Sequence, residues 1–486
     1  MPLLQSPPPA PPATVHLIGI CGTAMGAFAG MLKDQGYTVT GSDVGAYPPM
    51  SDYLAGLGID IMQGFKASNL DHRPDLVVVG NVVRAEYEEA QALLSSDLPY
   101  TSMPALLGSR FLEPTHSVVV AGTHGKTTTT AVTAWLFDSA GRDPGFLIGG
   151  VAANFTRTAR AGAGRYFVIE GDEYDTAFFD KQPKFMHYHP NTAILTSVEF
   201  DHADIYRDLD HVKEAFRAFV ASIPEDGHLI ARWDDPNVRD VCAAARCKVH
   251  RYGPSQEFDG EITEVCTRTG TMQFVVRRGS AVLGAFSSQL VGEHNLYNQV
   301  AAAAVAHLHG ITKPALIEGF ASFAGIKRRQ QVIGEPGQVT VLDDFAHHPT
   351  AVRLTLQALR QRFGQRRLWA IFEPRSATSR RAIFQQAYAQ AFSEADEVVI
   401  AQPYDTSRID EDARFSSGAL VADLCAQGVN AITLPAVSDI VTTVAARAHP
   451  HDVIAVLSNG GFDGLHAKLV AQLDARFSAP PSVRDQ

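Results

Sequence analysis

The chain has 486 residues, of which 45% are hydrophobic and 19% are charged, and its formal net charge is −11 at pH 7. This length exceeds what one hydrophobic core supports, so we predict about three domains. The negative net charge, without an evident basic face, argues against a nucleic-acid-binding protein, because no surface is available to neutralise phosphates.

The five cysteines are scattered without a C-x-x-C pair. This favours reduced thiols in the cytoplasm over a disulfide framework or a cysteine zinc site. Residues 1–13 are rich in proline and lack the regions of a signal peptide, and we predict a disordered extension. No run of apolar residues approaches the length of a membrane span, so no membrane partner is expected. Monomer and dimer both remain open.

Strands and helices alternate in the N-terminal part of the chain. A strand at Val15–Ile20 precedes a glycine-rich loop, and a helix is predicted over Ala24–Gln35. Further strand patterns occur at Thr38–Gly41, 60–61 and 75–79. This alternation indicates a parallel, doubly wound sheet, that is, a Rossmann-like α/β domain.

The glycine-rich loop after the first strand contains Gly19, Gly22 and Gly26, and Asp43 follows about twenty residues later. The spacing G-x-x-G-x-x-x-G departs from the G-x-G-x-x-G of dinucleotide-binding proteins. We predict that the loop binds a nucleotide phosphate, and NAD is disfavoured as the ligand.

A second strand–loop–helix segment, Val118–Thr130, is the most informative part of the sequence. Backbone N–H groups and the helix dipole form an anion site there. Lys126 adds a positive charge, and the Thr127 hydroxyl is placed to bind Mg²⁺. Val120 replaces the first glycine of the G-x-x-x-x-G-K-[ST] pattern, and an ordinary strand-to-helix turn is the alternative. We expect ATP to bind through Gly122, Thr123, His124, Gly125, Lys126, Thr127 and Thr128.

Acidic side chains and a histidine follow the next two strands of this block. Four acids begin with Glu170 after a strand at 166–169, and His202 lies among carboxylates after a strand at 192–196. Ligands of open α/β sheets gather at the carboxyl ends of strands, so we predict that Glu170 and His202 join Thr127 in holding Mg²⁺. The alternatives are a solvated acidic loop and a surface histidine paired to an acid.

Short alternating stretches at 251–292 predict a small antiparallel region attached to the central sheet. A helix is predicted at Gln299–His309, and His294, Asn295 and Asn298 fall within one turn at its start. Amides present a donor and an acceptor together, which suits the edge of adenine. N-capping by a single asparagine is the alternative.

The last block begins at about residue 327 with a basic cluster that includes Arg329. Its predicted strands are Val339–Phe345, Leu368–Phe372, Glu397–Ala401 and Asp452–Leu457. They indicate another parallel α/β unit. The polar candidates after these strands are Asp344, His347, Arg375, Ser458 and Asn459.

In their order along the chain, these motifs resemble those of the Mur ligases. The matching segments are 122–129, the acidic loop at Glu170, 201–202, 294–298 and 344–349. The resemblance covers the chain after residue 14 and implies an α/β protein of three domains. These are a Rossmann-like UDP-sugar-binding domain at 14–112, an ATP-binding domain at 113–326 with a central P-loop-type parallel sheet, and a Rossmann-like amine-binding domain at 327–486.

The resemblance also implies roles by motif position. Lys126, Glu170 and His202 would be catalytic, and His347 or a nearby acid would take the proton of the amine. The UDP-sugar contacts would be Gly19, Gly22, Thr23, Gly26, Ser42 and Asp43. The ATP site would be completed by His294, Asn295, Asn298, Arg329 and Asp344. The peptide contacts would be Arg375, Ser458 and Asn459.

Within the family, the sequence resembles the branch that uses ATP and Mg²⁺ to join UDP-N-acetylmuramate to the tripeptide L-Ala-γ-D-Glu-meso-diaminopimelate in peptidoglycan recycling. The segments carrying this narrower resemblance are 19–23, 47–51, 172–181, 200–205 and 458–462. The alternative is the branch that adds L-alanine in de novo synthesis. An NAD-dependent oxidoreductase and a non-catalytic nucleotide switch are alternatives of other classes.

One departure from the family pattern concerns a second metal ion. Several members carry a carbamylated lysine about fifteen residues after the equivalent of His202, where this chain has Arg217. Arginine cannot be carbamylated, and a second Mg²⁺ site therefore remains open.

Overall fold

The computed structural model describes residues 8–46 and 50–478. Three α/β units follow one another along this part of the chain, each built on its own mostly parallel sheet. The predicted α/β fold with three sheet units is confirmed. Residues 1–7 of the proline-rich extension and 47–49 of the segment 47–51 lie outside the described residues.

The first unit is a five-stranded parallel sheet in the order β3-β2-β1-β4-β5. Its elements are β1 (Thr14–Ile18), α1 (Thr23–Asp34), β2 (Thr38–Asp43), α2 (Met50–Gly56), β3 (Ile61–Gln63), β4 (Leu76–Val79), α3 (Glu88–Leu94), β5 (Tyr100–Ser102) and α4 (Met103–Leu107). Every residue of β4 is buried, as expected for a parallel strand covered by helices on both faces.

Residues 8–13 of the predicted extension pack against this first sheet. The Tyr37 hydroxyl donates to the Pro9 carbonyl at 2.8 Å, and the Thr38 N–H donates to the Ala13 carbonyl at 3.0 Å. Ala13 is buried. This part of the extension therefore differs from the disordered segment expected from its composition.

The second unit is a ten-stranded sheet in the order β17-β16-β15-β14-β13-β12-β6-β9-β7-β8. Its elements are β6 (His116–Ala121), α5 (Lys126–Ser139), β7 (Gly145–Leu147), β8 (Ala159–Arg160), β9 (Tyr166–Gly171), β10 (Asp175–Ala177), β11 (Asp180–Pro183), β12 (Thr192–Leu195), α6 (Leu209–Ser222), β13 (His228–Arg232), α7 (Pro236–Val241), β14 (Lys248–Tyr252), β15 (Phe258–Cys266), β16 (Thr271–Arg278), β17 (Ala281–Ser288), α8 (Glu293–Leu308) and α9 (Lys313–Ser322). The antiparallel β15-β16-β17 portion is the small antiparallel region predicted from the alternating stretches.

The β10–β11 hairpin stands apart from the large sheet and reaches the first unit. Phe179 packs edge-on against Tyr100 with ring centroids 5.1 Å apart. The Asn81 amide donates to the Asp175 carbonyl. The hairpin therefore ties the acidic loop after β9 to the first domain.

The third unit is a six-stranded sheet in the order β18-β19-β23-β20-β21-β22, in which only the β18–β19 pair is antiparallel. Its elements are β18 (Gln331–Gly334), β19 (Thr340–Asp344), α10 (Pro349–Phe363), β20 (Leu368–Phe372), α11 (Gln385–Ala391), β21 (Glu397–Ala401), α12 (Ser417–Ala426), β22 (Asn430–Leu434), α13 (Val437–Arg447), β23 (Val453–Leu457) and α14 (Leu465–Ser478). Among the described residues, no helix combines the length and hydropathy that a membrane crossing requires.

Candidate active site

Residues 122–125, which we call the phosphate loop, join β6 to α5 as the sequence predicts. Gly125 is the residue before the helix, with φ of +81°, a left-handed conformation that favours glycine. A Cβ at this position would lie 2.5 Å from Oδ1 of Asn298, so the close approach of α8 also requires glycine. The N–H groups of the first turn of α5 are left for an anion.

Lys126, the first residue of α5, is held by two acceptors at the loop. Its ammonium donates to the Gly122 carbonyl at 2.7 Å and to Oε2 of Glu173 at 2.7 Å. Burial alone lowers the pKa of Lys126, but the carboxylates of Glu173, Asp172 and Glu170 outweigh it and raise the pKa above its usual value. Lys126 is therefore a fixed positive charge at the phosphate loop.

Glu170 ends the apolar run of β9 and faces Thr127. The Thr127 hydroxyl donates to Oε2 of Glu170 at 3.2 Å, and the Gly149 N–H donates to Oε1 at 2.6 Å. Burial and the charge of Asp172 raise the pKa of Glu170 to about 7. A buried, electron-rich group of acids beside a threonine hydroxyl fits a hard divalent cation, because the cation would replace the proton that burial favours.

Glu173 links Lys126 to His202 and was not singled out from the sequence. Its Oε1 lies 3.4 Å from Nε2 of His202, while Oε2 contacts Lys126. Burial lowers the pKa of His202, but the hydrogen bond and charge of Glu173 raise it above its usual value. Lys126, Glu173 and His202 thus form one charged row beside the phosphate loop. The sequence predicts this location for Lys126 and His202, because each follows a strand of the parallel sheet.

The amides of α8 lie directly behind the phosphate loop. Helix α8 begins at Glu293, so His294, Asn295 and Asn298 are inside it rather than before it. The Asn295 amide donates to the Val291 carbonyl at 2.9 Å, and the Asn298 amide donates to Oδ1 of Asn295 at 3.3 Å. Both asparagines are buried, and the hydrogen bonds of their side-chain amides are made with other groups of the protein.

His294 lines a cavity of about 220 Å³ between α8 and α10. The other side of the cavity includes Leu354, Gln357 and Ala358 of the third unit. Burial, together with the charge of Arg232, lowers the pKa of His294 to about 4, so the ring is neutral at pH 7. The lining of this cavity includes His294 but not Asn295 or Asn298, the two residues predicted to face adenine.

Arg329 and Asp344 connect the third unit to the phosphate loop and the start of α5. The Arg329 guanidinium donates to the Thr127 hydroxyl at 3.3 Å. The two oxygens of Asp344 accept backbone N–H groups of Gln330 and Ala346, each at 2.8 Å. Asp344 therefore braces the linker that carries Arg329, whereas Arg329 itself reaches the site.

Residues 199–203, which we call the closure strip, dock onto the third unit. The Thr350 hydroxyl donates to Oε2 of Glu199 at 2.7 Å, and the Thr378 hydroxyl donates to Oδ1 of Asp201 at 2.6 Å. Between them, Nε2 of His348 contacts the carbonyl of residue 200 at 3.3 Å. The strip includes His202, which has a φ of +52°. The structure is therefore a closed arrangement of the second and third units.

His347 belongs to the third unit and lies near Asp201 of the closure strip. Its Nδ1 lies 3.0 Å from the Phe345 carbonyl and donates its proton there, which leaves Nε2 as the unprotonated ring nitrogen. Burial lowers the pKa of His347, although the nearby Asp201 charge opposes this. A neutral imidazole with a free nitrogen suits a proton acceptor.

The first-unit candidates surround the loop between β1 and α1. Gly22 is the residue before α1, and the helix continues through Thr23 and Gly26. The Ser42 hydroxyl donates to the buried Glu89 carboxylate at 2.7 Å, and Oδ2 of Asp43 accepts the Cys21 N–H at 2.9 Å. Ser42 and Asp43 thus brace the loop from behind, next to Gly19, whose N–H donates to the Ser42 carbonyl at 2.8 Å.

Two of the three candidate peptide residues, Arg375 and Ser458, meet at Glu373. The Arg375 guanidinium lies 3.3 Å from the Glu373 carboxylate and 3.8 Å above the Tyr404 ring. The Ser458 hydroxyl donates to the other Glu373 oxygen. Oδ1 of Asn459 is buried and makes no hydrogen bond with any described residue. Loops from two strands of the third sheet therefore form one polar group.

Arg217 lies on α6, and its side chain is partly exposed. Its guanidinium contacts both oxygens of Asp240 at 3.0 Å. A different basic residue, Lys184, is buried near the acids, 3.6 Å from Asp172 and 4.0 Å above the Tyr174 ring. No spacing in the sequence distinguishes Lys184, because it follows the hairpin rather than a strand of the main sheet.

Comparison with protein families matches each of the three units in turn. A model of the Mur ligase family, catalytic domain, matches residues 14–111, one of the Mur ligase middle domain matches 120–306, and one of the Mur ligase, glutamate ligase domain, matches 328–460. The chain belongs to the Mur ligase family. It is accordingly an ATP-dependent amide-bond ligase.

Individual relatives are similar over almost their whole length. The UDP-N-acetylmuramate–L-alanyl-γ-D-glutamyl-meso-2,6-diaminoheptandioate ligase of Escherichia coli is 39% identical, covering 96% of this chain and 99% of that protein. A UDP-N-acetylmuramate–L-alanine ligase of Desulforamulus reducens is 32% identical, covering 95% and 98%. The crystal structure of a murein peptide ligase from Psychrobacter arcticus superposes with a TM-score of 0.71 at 36% identity, covering 95% and 99%.

Proposed function

We propose that this Mur ligase joins the lactyl carboxylate of UDP-N-acetylmuramate to the amino group of L-Ala-γ-D-Glu-meso-diaminopimelate, at the expense of ATP. The observation that carries the chemistry is the charged row Lys126–Glu173–His202 beside the phosphate loop, closed over by the third unit. The choice of amine rests on the relatives, since the tripeptide ligase is 39% identical and the L-alanine ligase 32%. Peptidoglycan recycling in the cytoplasm is the process we assign to it.

Mg²⁺ belongs to this proposal as the ion held by Thr127, Glu170 and His202. The fit rests on the raised pKa of Glu170 and on the Thr127 hydroxyl that already faces it. When bound, the ion would neutralise charge on the β- and γ-phosphates. Arg329, which contacts Thr127, would add a second positive charge on the same side.

The first step converts a poor acyl donor into a reactive one. The muramate carboxylate attacks the γ-phosphorus of ATP, ADP leaves, and an acyl phosphate forms. This step needs alignment and charge neutralisation more than covalent help from the protein. Lys126, held at 2.7 Å from both Gly122 and Glu173, supplies a preorganised charge for the transferring phosphoryl group.

In the second step, the peptide's amino group attacks the acyl carbon, and phosphate leaves from the tetrahedral intermediate. The attacking nitrogen must lose a proton. We assign its uptake to Nε2 of His347, since Nδ1 is bound to the Phe345 carbonyl and the lowered pKa keeps the ring neutral. The contacts of the closure strip would exclude water that otherwise hydrolyses the acyl phosphate.

ADP release tests the proposal. Purified protein would receive ATP, Mg²⁺ and UDP-N-acetylmuramate with either the tripeptide or free L-alanine. Turnover with the tripeptide alone is expected. Turnover with L-alanine alone would move the protein to the L-alanine-adding reaction and overturn the proposed amine, while the ligase chemistry would stand.

A further inference from the structure

Three side chains with ligand atoms for a metal converge where the closure strip meets the phosphate loop and the third unit. They are His124 of the loop, Glu199 of the strip and His348 at the start of α10. One ligand atom from each lies within 4.8 Å of the other two, and within residues 8–46 and 50–478 this is the one group of three such residues. The group is separate from Thr127, Glu170 and His202, to which we assigned Mg²⁺.

The spacing suits a four-coordinate ion. Nε2 of His124 lies 3.4 Å from Oε2 of Glu199, and Nδ1 of His348 lies 3.8 Å from the same oxygen. A tetrahedral zinc ion, with bonds of ~2.0–2.2 Å, separates its ligand atoms by about 3.3 Å. The two measured distances are close to this value, and a direct hydrogen bond at 3.4 Å or 3.8 Å would be long.

A hydrogen bond orients His348 at this group, and His124 contributes a ring nitrogen without a hydrogen bond in the described part of the chain. Nε2 of His348 donates to the carbonyl of residue 200 at 3.3 Å, so Nδ1 is the unprotonated ring nitrogen, and it lies 3.8 Å from Oε2 of Glu199. That nitrogen accepts a long hydrogen bond from the Thr350 N–H at 3.3 Å, which a bound ion would have to replace. A carbonyl acceptor on the far nitrogen is the usual support for a metal-binding histidine. Nε2 of His124 is buried and makes no hydrogen bond within the described part of the chain.

We propose that His124, Glu199 and His348 form a binding site for a zinc-class divalent cation that bridges the phosphate loop and the third unit. Two imidazoles and one carboxylate favour zinc, cobalt or nickel over magnesium, which prefers oxygen ligands. The fourth position is left for water. Because His348 comes from the third unit, the site exists only in the closed arrangement, and a bound ion holds that arrangement.

Cobalt absorption tests the site without any assay of ligase activity. The full chain, stripped with EDTA, would be titrated with Co²⁺ while the visible absorption of four-coordinate Co²⁺ is followed. With excess Mg²⁺ present to occupy the site at Thr127, Glu170 and His202, we expect one four-coordinate Co²⁺ per chain, which Zn²⁺ displaces. No such band in the wild-type protein would overturn the proposal.

Ligand variants identify where the ion lies. Glu199→Gln and His124→Ala are each expected to weaken Co²⁺ binding at least ~10-fold, since even supporting residues of metal sites change affinity by this amount. His348→Asn removes the imidazole while keeping a residue that caps helices well, so α10 is retained. Unchanged affinity in all three variants would overturn the assignment.

Two controls separate this group from other sites in the chain. Glu170→Gln alters the proposed Mg²⁺ site, and His309→Ala removes a histidine from a separate group near His116 and His228. Both are expected to bind Co²⁺ like the wild type. Loss of the absorption band in either control, with retention in Glu199→Gln, would place the ion elsewhere and refute the proposal.

Discussion

The Thr378 hydroxyl donates to the Asp201 carboxylate at 2.6 Å, across the boundary between the second and third units and 177 residues apart in sequence. Asp201 precedes His202, which belongs to the charged row at the phosphate loop. The position of the third unit is therefore coupled to the backbone next to a residue of the proposed metal site.

Replacement of Thr378 by valine should slow turnover without abolishing folding. A hydrogen bond to a charged group contributes ~1.5–3 kcal/mol, so we expect kcat to fall about 10- to 100-fold. ADP release would measure it. Thr378→Ser keeps the hydroxyl and should restore most of the rate, and UDP-N-acetylmuramate affinity should not change, because the first unit is untouched. A valine variant with wild-type kcat would contradict the coupling.

Lys126→Ala should remove at least ~3 kcal/mol of transition-state stabilisation, as the loss of one preorganised electrostatic donor does. It also leaves the buried Glu173 carboxylate without its partner at 2.7 Å, which should destabilise the fold. Urea unfolding would separate the two effects. The double variant Lys126→Met, Glu173→Gln should recover stability but not activity. Activity near wild type in folded Lys126→Ala would refute its role.

Glu170 should make stability in the absence of Mg²⁺ depend on pH. Its pKa is raised from 4.5 to about 7 by burial and Asp172, so the folded protein binds more protons than the unfolded chain between these values. Stability from this group is therefore present below about pH 4.5 and is lost as pH rises through about 7. In urea unfolding across pH 5 to 8, the wild type should lose stability relative to Glu170→Gln as pH rises, and Mg²⁺ should offset this difference. Equal slopes in both proteins would contradict this reading of Glu170.

A group of histidines near the amino ends of the central strands should make stability depend on pH in the opposite direction. Burial lowers the pKa of His116 to about 4 and that of His309 to about 3, and both contact the Thr192 hydroxyl. The unfolded chain binds protons first, so their stability contribution is present above about pH 6.5 and declines as pH falls toward 4. In the Glu170→Gln background, which removes the opposing contribution of Glu170, the urea midpoint should drop between pH 7.5 and 5.5, and by less when His309→Gln is added. An equal drop in that variant would show that other groups are responsible.

Much of the site could be predicted from the sequence because its parts are local. Gly125, Lys126 and Thr127 are adjacent, and their chemistry follows from a strand–loop–helix pattern. Glu170 and His202 come from different strands, but parallel sheets bring strand ends together, and that rule placed them correctly beside the loop.

The remaining contacts depend on how separate domains meet. Thr350 and Thr378 are ordinary residues in sequence, and only the docking of the third unit places them on Glu199 and Asp201. Glu173 lies in the acidic loop that the sequence indicated. Which acid of that loop pairs with Lys126 depends on the conformation of the turn after β9. Short strands such as β7 and β8 are defined by their neighbours rather than by their own pattern.

The second unit contacts both of the other units through segments that carry residues of the reaction centre. The acidic loop with Glu170 and Glu173 leads into the hairpin whose Phe179 packs on Tyr100 of the first unit. The strip with His202 is fastened to the third unit through Asp201. Each half of the centre is thus attached to a different outer domain, and we propose that these two domains bind different substrates. Phosphoryl transfer would then proceed only when both outer domains are docked, so the enzyme would not consume ATP for one substrate in the absence of the other.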